Sequence, residues 1–279
     1  MTEIYVNWES FIDVEEFDTG PNPTGIMEYV VGIGTSDGAN DVVPYGSVGV
    51  VNHKVFHGLR LQNGYVYYAT VKGTDFAGRT TTKTSNPVVV DYTPPTKSDN
   101  PIYLPGRHIT STTEIYVCWT SVFGDLESGV NHYEWYIGSQ PGYYNIMERM
   151  TVVGEECGQS DENNHLELLD GHAYYISVEA FNNAGLSSVA TSWAFPVDTT
   201  PPTAGNVYDG KRSPDLIDVD YQTETRVLYA YWEGFNDSHS AIQEYFVSAG
   251  TCKNCDDVLS LQALGIVQGM LYIVVRYLH

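Results

Sequence analysis

Three times along the chain a short run alternates apolar with other residues and closes on a tryptophan: Ile4 and Val6 before Trp8, Ile115 and Val117 before Trp119, Val227 and Tyr229 before Trp232. A period of two buries one face of a β-strand. A second ladder follows each tryptophan with identical internal spacing: Ile26, Tyr29, Gly34; Val130, Tyr133, Gly138; Ile242, Tyr245, Gly250. In the third ladder an apolar residue is followed three positions on by a glycine and three further by a tyrosine: Leu61, Gly64, Tyr67; Leu168, Gly171, Tyr174; Ile266, Gly269, Tyr272. It opens alternating runs such as Tyr174, Ile176, Val178, which read as a strand with a tight corner in front of it. Three ladders in one register make an internal repeat. Trp8, Trp119 and Trp232 recur at a nearly even interval, close to the size of one sandwich domain.

The repeat predicts an all-β chain of three tandem Greek-key β-sandwiches, at 1–92, 93–198 and 199–279. The boundaries fall at Asp91-Tyr92-Thr93-Pro94-Pro95-Thr96 and Asp198-Thr199-Thr200-Pro201-Pro202-Thr203. Paired prolines hold the chain extended and remove donors, so these are short, semi-rigid linkers and the units should stand in a defined array. Thr2 to Val6 repeats Thr113 to Val117 letter for letter. The first sandwich is therefore expected to open at its second strand and to lack its N-terminal one. Leu271 to Val275 matches the tyrosine strand, so the third is expected to lack its C-terminal strand. Bare apolar edges invite aggregation. The favoured expectation is that flanking repeats of a longer chain cover the ends; the alternative is a partner chain.

A tyrosine at the start of a strand, after a tight turn, sends its ring into the core while its hydroxyl bonds the backbone upstream. With that Leu-x-x-Gly-x-x-Tyr pattern, and with Trp8, Trp119 and Trp232 on the second strand, the chain resembles the fibronectin type III family and closely similar immunoglobulin-like sandwiches over nearly its whole length. The resemblance implies modules used as spacers, adhesins or accessory domains, and does not by itself fix a function.

Composition narrows the partners. With 35 acidic against 13 basic residues the formal charge is −22, which disfavours nucleic acid and anionic membranes. No window approaches the roughly 18 apolar residues of a membrane span. Met1-Thr2-Glu3 runs directly into a strand, so no signal peptide is expected within the sequence.

Four cysteines are present. Cys252-Lys253-Asn254-Cys255 sits in the loop after a middle strand, where the first copy has Ser36-Asp37-Gly38-Ala39. A zinc or redox reading would need a second cysteine pair or a βαβ context, so a loop-closing disulfide is favoured over free thiols. A bridge between Cys118 and Cys157 is a second candidate, left open by the sequence.

The loop after each tryptophan strand is acidic: Asp13, Glu15, Glu16 and Asp18, then Asp125, then Asp237. Oxygen ligands at such positions are candidates for Ca²⁺; the alternative is that each aspartate caps its own turn. No other cofactor is expected. Asn236-Asp237-Ser238 is the one glycosylation sequon, and threonine clusters beside the prolines are candidate O-glycan sites. No Gly-x-Ser-x-Gly, His-Glu-x-x-His or phosphate loop occurs, and the histidines, among them His132, His172 and His239, are scattered singly. An enzyme is not expected.

These features together point to a structural protein of the extracellular space or cell surface, a stiff tandem array that self-associates into a linear or helical filament or layer, or continues in flanking repeats. Two alternatives stand beside it. One is an adhesion or receptor ectodomain whose loops bind a protein or glycan. The other is a non-catalytic accessory module of a secreted carbohydrate-active enzyme, with Tyr143 and Tyr144 stacking on sugar.

Overall fold

The computed structural model describes residues 3–12, 25–160, 166–210 and 218–266, and the backbone of 270–274. The described residues form strands, turns and loops, with no helix among them. The strands fall into three sets, and among the described residues no strand of one set pairs with a strand of another.

The first set comprises β1 (Glu3–Asn7), β2 (Ile26–Gly34), β3 (Val43–Gly49), β4 (His53–His57), β5 (Val66–Asp75), β6 (Thr80–Thr84) and β7 (Val88–Val89). One sheet runs β3-β2-β5-β6 with β7 on β5, and β1 pairs with β4 in the other. The second set comprises β8 (Thr96–Lys97), β9 (Tyr116–Cys118), β10 (Phe123–Gly124), β11 (Val130–Gly138), β12 (Met147–Val152), β13 (Cys157–Gln159), β14 (Ala173–Asn182), β15 (Ser187–Thr191) and β16 (Phe195–Pro196). Its larger sheet runs β12-β11-β14-β15, the order seen in the first set, and β13 pairs with β9 opposite it. Trp135 stands across from Val178 and Ile137 from Ile176 in the β11–β14 ladder. The alternation in β14 therefore sends Tyr174, Ile176, Val178 and Ala180 inward, where they pack with Val117, Trp119, Trp135 and Ile137. Burying each large apolar side chain of that kind stabilises by about 1.5–3 kcal/mol.

The third set comprises β17 (Asn206–Asp209), β18 (Val227–Glu233), β19 (Tyr245–Ala249), β20 (Leu259–Gly265) and β21 (Met270–Val274). Here the structure departs from the sequence expectation. β21 carries the Tyr272 of the third ladder, and the repeat predicts that it lies beside β19, as β5 lies beside β2 and β14 beside β11. It pairs instead with β18, with Tyr229 opposite Tyr272, in a sheet ordered β17-β18-β21. That is the place β4 and β13 hold in the first two sets. Position along the chain agrees, since the interval from Trp232 to Met270 equals that from Trp119 to Cys157. Of the five strands of the larger sheet, only the two corresponding to β2 and β3 have counterparts among the described residues of this set, β19 and β20. A cleft of about 1240 Å³ opens between its two sheets, lined by Val207, Trp232, Phe235, Tyr245 and Val247.

The second ladder has a common packing role. Its tyrosine lies between the strand tryptophan and a phenylalanine just after it: Tyr29 between Trp8 and Phe11 at 5.6 and 5.4 Å, Tyr133 between Trp119 and Phe123 at 5.5 and 6.0 Å, Tyr245 between Trp232 and Phe235 at 5.8 and 5.9 Å. Tilted and edge-on aromatic pairs add about 0.5–1.5 kcal/mol beyond their area. The glycine that ends the ladder is required by close backbone approach. A Cβ on Gly34, Gly138 or Gly250 would overlap the backbone of Ala39, Tyr143 or Cys255, because the following hairpin folds back over that position.

Candidate functional site

The tyrosine corners build the surface on which the linkers sit. Gln62 donates its backbone N–H to the Tyr67 hydroxyl at 2.9 Å, and Leu169 donates to the Tyr174 hydroxyl at 3.0 Å. Both rings are buried, 5% and 4% exposed. The turn between donor and strand needs a positive φ, which Gly64 and Gly171 supply at 76° and 74°. Each glycine donates its N–H to the last strand before the linker, Gly64 to Val90 at 2.8 Å and Gly171 to Val197 at 2.9 Å. The residue before each glycine, Asn63 or Asp170, is thereby held at the tip of a fixed turn. The side chain of Tyr272 and the turn before β21 lie outside the described residues.

At the first linker, Asn63 Oδ1 accepts the Tyr92 N–H at 2.9 Å, and its amide donates to Thr93 Oγ1 and to Glu127 Oε1, both at 2.9 Å. Glu127 belongs to the loop after β10, so Asn63 joins the first set, the linker and the second set. Asp91 Oδ1 accepts from the Thr93 N–H at 3.0 Å, and its Oδ2 accepts from the Ser128 hydroxyl at 2.6 Å and the Asn182 amide at 2.8 Å. Asn182, at the end of β14 and 2% exposed, also donates to Thr93 O at 2.9 Å and Asp125 Oδ2 at 3.1 Å. Its own Oδ1 accepts the Ala184 and Leu186 N–H groups, which fixes the orientation of the amide.

The second linker repeats the scheme one repeat further along the chain. Asp170 Oδ1 accepts the Thr199 N–H at 2.7 Å and the Thr199 hydroxyl at 3.0 Å, while Oδ2 meets His239 Nδ1 at 3.1 Å. His239 lies in the loop after β18, at the position Glu127 takes in the preceding set. Asp198 Oδ1 accepts from the Thr200 N–H and hydroxyl, both at 3.1 Å, and lies 3.9 Å from His239 Nδ1.

The electrostatics follow from these bonds. Burial pushes the Asp125 carboxyl up, but hydrogen bonds from the Asn182 amide and the Ser128 and Gly129 N–H groups outweigh it and hold the group below the ordinary aspartate value. The Ser240 hydroxyl, followed by the Thr200 N–H, holds Asp198 down as well.

Of the Ca²⁺ candidates, Asp13, Glu15, Glu16 and Asp18 lie outside the described residues. Asp125 Oδ1 accepts the Ser128 and Gly129 N–H groups at 2.9 and 2.8 Å, and Asp237 Oδ1 those of His239 and Ser240 at 2.9 and 2.8 Å. Both carboxylates cap their own turns. Asp91, Asp125 and Glu127 do converge, as do Asp170, Asp198 and His239. Between Asp91 and Asp125 the Asn182 Nδ2 donates to Oδ2 of each.

Cys118 and Cys157 face each other in the β9–β13 ladder and are bonded Sγ to Sγ across it. Cys252 and Cys255 are bonded to each other at a hairpin tip. The matching tips in the other sets are held without cysteine, by Thr35 on Asp41 and Ser139 on Asn145; here Thr251 donates to Asp257 in the same way. Asn236 is exposed, while its backbone exchanges hydrogen bonds with Thr203 of the second linker. Tyr143 and Tyr144 are 54% and 58% exposed on the hairpin tip after β11. Tyr144 lies edge-on to Tyr136, and Arg149 covers both rings at 5.8 and 4.6 Å while bonding Glu134 and Glu179.

Reading the sequence for apolar periodicity missed Asn63, Asp91, Asp170, Asn182, Asp198 and His239, which are polar and stand singly. The signal that finds them is their recurrence: Asn63, Gly64, Asp91 and Thr93 reappear, with their spacing unchanged, as Asp170, Gly171, Asp198 and Thr200.

Strand order and the two corners are those of the fibronectin type III sandwich. The fold of the first two sets is that sandwich, in tandem. The FN1–FN3 domains of chicken CNTN1 match at 14% identity with a TM-score of 0.38, over 99% of this chain and 84% of that one. The Clostridium thermocellum CbhA fibronectin(III)-like modules match at 12% and 0.37, over 65% and 83%. The central fibronectin-III array of RIM-binding protein matches at 12% and 0.24, over 82% and 73%. No protein-family model and no curated protein matches the sequence. No helix among the described residues is long and apolar enough to cross a membrane, a statement that does not bear on β-barrels.

Proposed function

We propose that the chain is a structural element of the extracellular space or cell surface, a stiff tandem array that builds a filament, fibril or surface layer with copies of itself or with flanking repeats. The observation that carries this reading is that each linker is hydrogen-bonded on both sides. Asn63 ties the first linker to the first set and to Glu127 of the second, and Asp170 ties the second linker to the second set and to His239 of the third. A chain selected for free movement of its modules has no use for such bonds, whereas a load-bearing or length-setting array does. The charge of −22 keeps such an array soluble before assembly. A glycan on Asn236 would protrude beside the second linker.

Electron microscopy of the native material is the test. Ordered filaments or layers built from this chain are expected; isolated, unassociated molecules would contradict the reading.

One observation favours a second reading as an accessory module of a carbohydrate-active protein. Tyr143 and Tyr144 are adjacent and exposed, and Arg149 lies over the Tyr144 ring; exposed aromatic rings of this kind are surfaces on which a sugar can stack. Retention of the chain on an insoluble polysaccharide, lost in Tyr143→Ala/Tyr144→Ala, would support it.

A further inference from the structure

The two linkers are built to one plan, yet the contact that crosses from one set to the next is made of different chemistry at each. At the first, the Asn63 amide donates to the Glu127 carboxylate; at the second, the His239 imidazole donates from Nδ1 to the Asp170 carboxylate. Donor and acceptor have changed sides while the positions have stayed. In both cases the acceptor or donor on the near side stands at the tip of a turn fixed by a buried tyrosine, so it has little freedom to follow a partner that moves. In both cases the same side chain also holds the linker, through Thr93 or Thr199.

From this we infer that the Asp170–His239 pair is the latch that sets the angle between the second and third sets, and that it is the exchanged equivalent of Asn63–Glu127. The ring of His239 lies directly on Gly171, where an added Cβ would sit 2.8 Å from its Nε2, so imidazole and corner turn are in contact as well as bonded. Beside the ring stand Asp170 and Asp198 from the second set and its linker, and Asp237 Oδ1 accepts the backbone N–H of His239. A carboxylate at position 239 would thus face two others at once. A hydrogen-bonded latch requires complementary partners, and like charges in its place repel.

The inference deepens the stiff-array reading and rests on it. Its test uses the full chain with spin labels carried on unnatural amino acids at Glu148 and Gln262, both exposed, and reads the distance distribution between the second and third sets by pulsed electron resonance. The unsubstituted chain is expected to give one narrow distribution; a broad one would contradict the stiff array itself. His239→Glu should broaden and shift the distribution, and His239→Glu/Asp170→Asn, which recreates the first linker's amide–carboxylate pair, should narrow it again. Asp170→Ala, which removes the acceptor without adding charge, should broaden it too. A distribution unchanged by His239→Glu and by Asp170→Ala, or one that the double substitution leaves broad, would overturn the latch while leaving the stiff array standing. Thermal unfolding of each variant checks that the sets remain folded.

Discussion

The Tyr174 hydroxyl accepts the Leu169 N–H at 3.0 Å, and with the Gly171 N–H on Val197 O that bond holds the turn whose tip, Asp170, holds both the second linker and His239. The same sequence of contacts runs from Tyr67 through Gln62 to Asn63. A device ordinarily credited with closing a sandwich therefore also docks the next one.

Tyr174→Phe keeps the buried ring and removes only the hydroxyl. It is expected to cost about 0.5–1.5 kcal/mol, the net worth of one hydrogen bond, with the Leu169 N–H left to find water. Urea unfolding of the variant measures this. A loss of a few kcal/mol would mean that the ring, rather than the bond, had been disturbed.

The Asn182 amide donates to three acceptors at the first linker, Asp91 Oδ2, Thr93 O and Asp125 Oδ2. Asn182→Ala leaves Asp91 and Asp125 facing each other and strips the Ala184 and Leu186 N–H groups of their acceptor. The expected loss is about 1–3 kcal/mol, the penalty for buried polar groups without partners. Asn182→Asp should cost more, because it adds a carboxylate to the cluster of Asp91, Asp125 and Glu127. Chelator treatment should leave the unfolding midpoint of the unsubstituted chain unchanged, because the Asn182 amide already donates to both Asp91 and Asp125; a lowered midpoint would show that a cation binds there.

Acid should weaken the fold through three aspartates. Asp125 and Asp198 are held below the ordinary aspartate value by the bonds described above, and Asp75 by the Arg79 N–H and then its side chain. A carboxyl depressed in the folded state contributes stability that is complete above its unfolded value and is lost as pH falls through its folded one. Urea midpoints should thus hold steady from neutrality down to the ordinary value of 3.8 and fall below it. At the alkaline end the sign reverses. Burial, aided by Glu156, raises Tyr133 to about 12, so stability should decline as pH rises from the ordinary tyrosine value of 10.0 towards it.

The two disulfides close loops of very different length, with separations of 39 and 3 residues. By the chain-entropy relation, Cys118→Ala/Cys157→Ala should cost about 4 kcal/mol and Cys252→Ala/Cys255→Ala about 1.5 kcal/mol. The smaller loss fits a hairpin tip that Thr251 and Asp257 hold in any case. Equal losses for the two pairs would show that loop length is not what matters here.

Much of the fold was legible in the sequence, because its signals are local. Alternation places Ile176 and Val178 inward, and a corner tyrosine bonds a residue only five positions back. The third ladder misled for the same reason. Leu-x-x-Gly-x-x-Tyr is a short local pattern, and Ile266, Gly269 and Tyr272 satisfy it; which strand lies beside β21 is decided by β18, far back along the chain. Distance from the tryptophan was the better guide. The linker contacts were illegible to apolar patterning, since Asn63, Asp170 and His239 each look like one more polar loop residue until the two linkers are superposed.

Residual dipolar couplings measured on the deuterated full chain test the central claim most directly, because they report how the first and second sets are oriented through the Asn63–Glu127 contact in solution. The expected result is one alignment tensor that fits both sets, with Asn63→Ala splitting it into two of unequal magnitude. Two different tensors in the unsubstituted chain would contradict it.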